Sequence, residues 1–268
     1  MGVLESIKSG WQVVVNSIVL MGIIFVINAV TAMGMLSVIG INPTPQRLTE
    51  LTGALLLMFL FLIIIWIFVE GGILSAVLGQ IKTRQLNLSG FLANGAKFFV
   101  SLLALNLISA VLNTVIWFIG SFAMGIFLAL GKGQNIFFNI LALVFLVVTI
   151  VVSFCVIIPI LMAQLFCVAK ESKAIASLRA GFSLFTANWK KVIGLFLLLG
   201  LFAFALQFLL GLTSVAIANV LAGWAGAIVN VILTSAANSF TGVFGAACLY
   251  AMLLSLKNEH QREETEVA

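Results

Sequence analysis

Glu70 is the only charged residue between Leu51 and Ile81, in the middle of an apolar run. A carboxyl group so placed can line a polar cavity, carry a proton or cation, or meet a partner. It can equally reach the nearer interface or stay protonated, with no function beyond packing. Gly71 and Gly72 follow it and would let another backbone come close. Asn230, Thr234, Asn238 and Thr241, spaced 4, 4 and 3, form a polar stripe on a helix, with Ser235, Ser239, Gly242 and Ala246 beside it as a small-residue face. Asn106, Ser109 and Asn113 make a similar set. Glu70, Asn106, Asn113, Asn230 and Asn238 are thus the candidates for an intramembrane polar site. Hydrogen bonding between helices would explain the same amides without any solute path.

Other chemistry has little material. The eight acidic residues are all Glu, so paired-Asp or Asp-Glu metal and hydrolytic chemistry is not expected. His260 is the sole histidine and sits in an acidic tail, which leaves no imidazole for a zinc site or triad within the apolar segments. Cys155, Cys167 and Cys248 lie in apolar runs without a CxxC or metal-ligand spacing and read as buried small hydrophobes. No catalytic residue, cofactor or metal is expected.

The elements that must position these residues follow from composition. Hydrophobic residues make up 63% of the 268 and charged residues 8%, against roughly a quarter charged in soluble domains. A bilayer core about 30 Å thick takes roughly 20 apolar helical residues and excludes unpaired charge. The windows between charges therefore predict six spans, near 12–35, 51–80, 98–129, 136–167, 192–217 and 226–256. The last two share one long uncharged stretch, divided near Asn219, Gly223 and Trp224. Pro159 should bend the fourth span. The fold class is an all-α membrane protein, with residues 1–256 as one six-span domain and 257–268 as a hydrophilic, solvated tail that composition leaves open to disorder. Met1 to Trp11 contain Glu5 and Lys8 but no short apolar core with a cleavage site, so the first span is expected to be retained.

Lys and Arg divide unequally. Lys8, Lys82, Arg84, Lys97, Lys170, Lys173, Arg179, Lys190, Lys191, Lys257 and Arg262 fall on one side and Arg47 and Lys132 on the other. The positive-inside rule then places both termini in the cytoplasm, with short outer loops near 42–50, 131–135 and 219–225.

A glycine precedes three of the spans at Gly10, Gly95 and Gly181, spaced by 85 and 86 residues. Around the first, Leu4, Ile7, Trp11 and Val14 are spaced 3, 4, 3, and around the third Ile175, Leu178, Phe182 and Phe185 repeat the pattern. In the middle copy Leu92 and Phe99 match while Ser89 and Ala96 do not. The pattern predicts three repeats, 1–84, 85–170 and 171–256, each an amphipathic interfacial helix followed by a transmembrane hairpin. Ser172 is a candidate N-cap for the third. Such helices should lie apolar side down on the inner leaflet, with Lys173, Arg179, Lys190 and Lys191 as candidate contacts to lipid phosphates or a partner.

The stretch 163–191, with the turn Ala169-Lys170-Glu171-Ser172-Lys173, the helix through Arg179-Ala180-Gly181 and the entry Asn188-Trp189-Lys190-Lys191, resembles the YciC-type bacterial inner-membrane proteins. It is also similar to the membrane domain attached to some glycerophosphodiester phosphodiesterases. The resemblance implies a multi-pass protein of the bacterial plasma membrane and carries over no catalytic residues; no phosphodiesterase domain accompanies it here. The functional expectation is a non-catalytic accessory or scaffold component that binds membrane lipids or another membrane protein through its cytoplasmic interfacial helices. A transporter of a small solute, lipid or ion using a polar crevice around Glu70 is the alternative. The formal charge of +5 is read as topology rather than as a nucleic-acid surface.

Overall fold

The computed structural model describes the chain except residues 1, 41–43, 85, 87, 132–134, 222 and 268, and except the side chains of 45–48, 218, 219 and 257–267. The outer-loop residues Asn42 and Lys132 and the charges of the tail therefore lie outside the described residues. Seven helices and no strand are found among those described: α1 (Val3–Val15), α2 (Ile18–Ile39), α3 (Pro45–Thr83), α4 (Phe91–Gly131), α5 (Ile136–Lys170), α6 (Ala174–Val220) and α7 (Trp224–Val267). Six of them, α2 to α7, are long and apolar enough to cross a membrane. Helix is the solution an apolar environment imposes, because every interior amide bonds within its own segment.

The ends have local causes. Glu5 Oε2 accepts from the Gly2 amide at 3.0 Å and caps α1. Asn135 Oδ1 accepts from the Phe137 amide at 3.0 Å and starts α5. Glu171 takes the left-handed conformation (φ 52°) after α5, with the Ser172 amide returning to the Cys167 carbonyl oxygen at 3.2 Å. Gly40 (φ 85°) and Gly223 (φ 67°) supply the positive φ that closes α2 and opens α7, the latter where the long uncharged stretch was expected to break.

The chain forms two compact units, Met1–Lys97 with Asn188–Ala268, and Phe98–Ala187. In the first, α7 is the central helix: two thirds of its most apolar window is buried, against about a tenth for α2 and α3. Val243, Ala247, Cys248, Tyr250 and Leu253 form its buried face, and α1, α2 and α3 pack on it. Trp11 of α1 meets Phe240 and Phe244 of α7 edge-on at 6.0 and 6.3 Å, and Phe202 of α6 reaches Phe244 at 5.3 Å. In the second unit α4 and α5 run antiparallel, Gly131 lying against Phe138, Phe127 stacking on Phe145 at 5.1 Å, and Gly120 meeting Thr149.

The three landmark glycines are points of close approach. A β-carbon on Gly95 would stand 2.7 Å from the Phe68 carbonyl oxygen of α3, and one on Gly181 would stand 2.5 Å from the Pro159 oxygen and 2.8 Å from the Ala163 nitrogen of α5. One on Gly10 would run into Cys248 of α7, its backbone nitrogen included. Ser6 and Ser177, four residues before Gly10 and Gly181, are fully buried as well, so two of the three segments carry a Ser-xxx-Gly face of the small-xxx-small kind. Seven residues after Gly10 and Gly181, Ser17 (φ −115°, ψ 27°) and Asn188 (φ −128°, ψ 27°) share one non-helical backbone conformation.

Three expectations change. The middle entry is not a separate helix, since α4 runs unbroken from Phe91: Leu102 occupies the position of Ser17 and Asn188, and no polar side chain there supports a break. The third entry, by contrast, is set off from its span within α6 by the non-helical Asn188. The apolar stripe of α1 is split, with Leu4 and Trp11 exposed but Val14 buried, because the small residues Ser6 and Gly10 face the protein. Finally, α7 continues as helix to Val267, since nothing after Gly245 breaks it and Lys, Glu, Gln and Arg are good helix formers.

Gly95→Ala and Gly181→Ala should each lower stability in detergent by about 1–3 kcal/mol, because backbone atoms block the added methyl. Gly200→Ala and Gly211→Ala, with open space around them, should change it by no more than about 1 kcal/mol, in the stabilising direction. Unfolding midpoints of the four variants check this; equal effects at all four would show that the close approaches are unimportant.

Candidate functional site

Glu70 lies in the most deeply buried stretch of α3, between Ile67 and Gln80, and is itself part-buried and engaged by its surroundings. Gly72 on the next turn is filled by the Phe91 ring, whose nearest atom stands 2.8 Å from where a β-carbon would be. Ser75, a turn further, accepts from Asn94 Nδ2 at 2.7 Å. The C-terminal half of α3 is thus a docking surface for the segment that leads into α4, and Gly72 is used for that packing.

The amides of α7 are also spent between helices. Ser214 Oγ of α6 and Asn230 Oδ1 of α7 are 2.5 Å apart, and Gln207 Nε2 of α6 donates to Asn238 Oδ1 at 3.2 Å. Asn28 Nδ2 of α2 donates to Ser239 Oγ at 3.2 Å. Asn106 and Asn113 lie in the other unit and donate to carbonyls of their own helix, Leu102 and Ser109, each at 3.0 Å.

Sequence reading missed the most buried polar cluster of the first unit. Gln80 near the C-terminal end of α3 accepts from Ser17 Oγ through its Oε1 and donates to the Val13 carbonyl oxygen at 3.3 Å through Nε2. It thereby satisfies the break between α1 and α2, where Ser17 is fully buried. A lone Gln before a basic turn gave no spacing signal. Asn28 could have been found: it follows Gly10 by the same 18 residues that separate Asn113 from Gly95. Ser172 does not cap α6 through a first-turn amide; its hydroxyl lies 2.7 Å from that of Ser177, which bonds onward to the Lys173 carbonyl oxygen at 3.1 Å. Cys167 touches the hydroxyls of Ser101 and Ser177 and is buried with them.

Lys173, Arg179, Lys190 and Lys191 are all exposed. Lys190 sets its ammonium group 5.6 Å from the ring of Trp189, itself about half exposed. Lys8 on α1 is exposed beside Leu4 and Trp11, and Ile175 is exposed near Lys173 and Arg179. Each of these two segments therefore buries a serine and a glycine and turns apolar and basic side chains outward. No group of three His, Cys, Asp or Glu side chains is placed to hold a metal among the described residues.

No protein-family model, curated protein or solved structure matches the chain. The helices define its class: a multi-pass α-helical protein of membrane type.

A double-mutant cycle of Ser214→Ala with Asn230→Leu should return a coupling of about 0.5–1.5 kcal/mol in bilayer or detergent unfolding. Strict additivity would mean that the α6–α7 seam does not hold the helices together.

Proposed function

We propose that the chain is a non-catalytic accessory or scaffold protein of a bacterial plasma membrane, built from three repeats of an entry segment and a transmembrane hairpin. Its role is to hold amphipathic segments at the cytoplasmic surface, where they bind anionic phospholipid or a partner carrying the same phosphate-like charge. The observation that carries this reading is the split surface of α1 and the start of α6. Their small faces, Ser6 with Gly10 and Ser177 with Gly181, are pinned to spans, while Leu4, Ile175, Lys8, Lys173 and Arg179 point away. An exposed apolar side chain flanked by cations suits the boundary between acyl chains and phosphates, where each basic residue contributes about 1 kcal/mol. The 11-to-2 division of Lys and Arg supports the cytoplasmic placement, and the resemblance at 163–191 supports the bacterial membrane.

A transporter with a crevice at Glu70 is the second reading, favoured by the part-buried position of that carboxyl group in α3. The two differ in which side chain matters. The paired reversal Lys173→Glu with Arg179→Glu should reduce the anionic phospholipid that copurifies with the full chain, measured by lipid mass spectrometry, by roughly tenfold or more at low salt. Glu70→Gln should leave it unchanged. Retention of anionic lipid by the reversed variant would defeat the scaffold reading. Solute uptake into proteoliposomes that is abolished by Glu70→Gln would establish the second.

A further inference from the structure

The segments around Gly10 and Gly181 expose matching positions. Six residues before the glycine stands an aliphatic side chain, Leu4 or Ile175, with 75% and 70% of its surface open. Two residues before it stands a cation, Lys8 or Arg179, exposed and one helical turn further along the same face. Five residues after it, Val15 and Thr186 continue that line in the open. Glu5, the acidic neighbour of Lys8, is bonded to the Gly2 amide. The middle segment differs at the first two places: Ser89 and Ala93 stand there, and its cation, Lys97, lies two residues after Gly95 and is already engaged.

In the first segment the open line runs on into α2, where Ile18, Val19, Val26 and Val30 are exposed. α2 is long and apolar enough to cross a membrane, so these side chains suit acyl chains. From Lys8 to Val19 the helical rise is roughly 16 Å, close to the hydrocarbon depth of one leaflet, about half of 30 Å.

We infer that each of these two segments holds one anionic phospholipid, its phosphate at Lys8 or Arg179 and an acyl chain along the aliphatic side chains of the same face, and that the middle segment holds none. The inference rests on the reading of the entry segments as lipid-binding and adds the number, the place and the class of the ligands. With one cation apiece, either place is neutralised by a single phosphodiester, whereas a zwitterionic headgroup brings an ammonium group that offsets the attraction. A free phosphate would leave Leu4 and Ile175 facing water, and a soluble partner could not follow the first face past Val15 into hydrocarbon.

Native mass spectrometry of the full chain in detergent, titrated with phosphatidylglycerol, counts the bound lipids. The expected count is two, with phosphatidylethanolamine held more weakly and added inorganic phosphate displacing neither. Lys8→Gln and Arg179→Gln should each weaken one of the two by about fivefold, and the double variant should weaken both. Ala93→Lys puts a cation at the place the middle segment lacks and should raise the count to three; a gain of this kind needs a folded chain, so it is not mimicked by misfolding. Loss with only one of the two single exchanges, a third lipid on the unaltered chain, a count that stays at two with Ala93→Lys, or displacement by inorganic phosphate would overturn the inference and leave the scaffold reading standing. Phosphatidylglycerol that stays bound through both single exchanges and through the paired Lys173→Glu and Arg179→Glu reversal would overturn the two together.

Discussion

Two helices in hydrocarbon gain little from hiding apolar side chains, since the surroundings are as apolar as the side chains themselves, so what holds them is contact at short range. In this chain that contact is made where a glycine lets one backbone meet another. Gly95 against Phe68, Gly181 against Pro159 and Ala163, and Gly10 against Cys248 each remove a side chain so that main-chain atoms can touch. At this separation dispersion and weak Cα–H···O contacts act together, and neither survives an added methyl. The arrangement has an order: each glycine sits on a span that belongs to the preceding hairpin, with α7 taking that place for Gly10. The entry segments are therefore tied to helices other than those they lead into, which fixes where each hairpin begins.

Once the entries are fixed, polar groups can be placed. The break at Ser17 takes the usual helical amide away from the Val13 carbonyl oxygen in a buried position, and Gln80 Nε2 donates to it while Gln80 Oε1 accepts from the Ser17 hydroxyl. Asn28, Asn230 and Asn238 then serve as cross-links, since each meets a hydroxyl or amide of an adjacent helix. Such bonds contribute about 0.6 kcal/mol each on average in membrane proteins. Several along one helix nevertheless set its rotation against α2 and α6.

Much of this was legible from charge alone. The six spans, the division of the last uncharged stretch and the landmark glycines follow from where Lys, Arg and Glu are excluded and where Gly recurs. What could not be read was the direction each entry helix faces. Leu4, Trp11 and Val14 look like one apolar stripe, but spacing does not say whether lipid or protein covers it; Gly10 decides, and its partner Cys248 is 238 residues away. The same holds for the candidate polar site. Spacing placed Asn230 and Asn238 on one face, while the residues that answer them, Ser214 and Gln207, stand on α6 without any pattern of their own. Gln80 was invisible because its role depends on a break in another helix.

The position seven residues after each landmark glycine also explains why the three segments differ. In the first and third, a polar residue seven positions after the glycine tolerates a non-helical backbone, and the entry can turn away from its span. In the second, Leu102 holds that position, fully buried, and the helix runs straight through. A leucine has no group to satisfy the amides that a break would free, so the break would cost several unpaired backbone groups in an apolar setting. The straight α4 is thus what a leucine at the recurring position entails, where Ser17 and Asn188 allow the other two segments to turn.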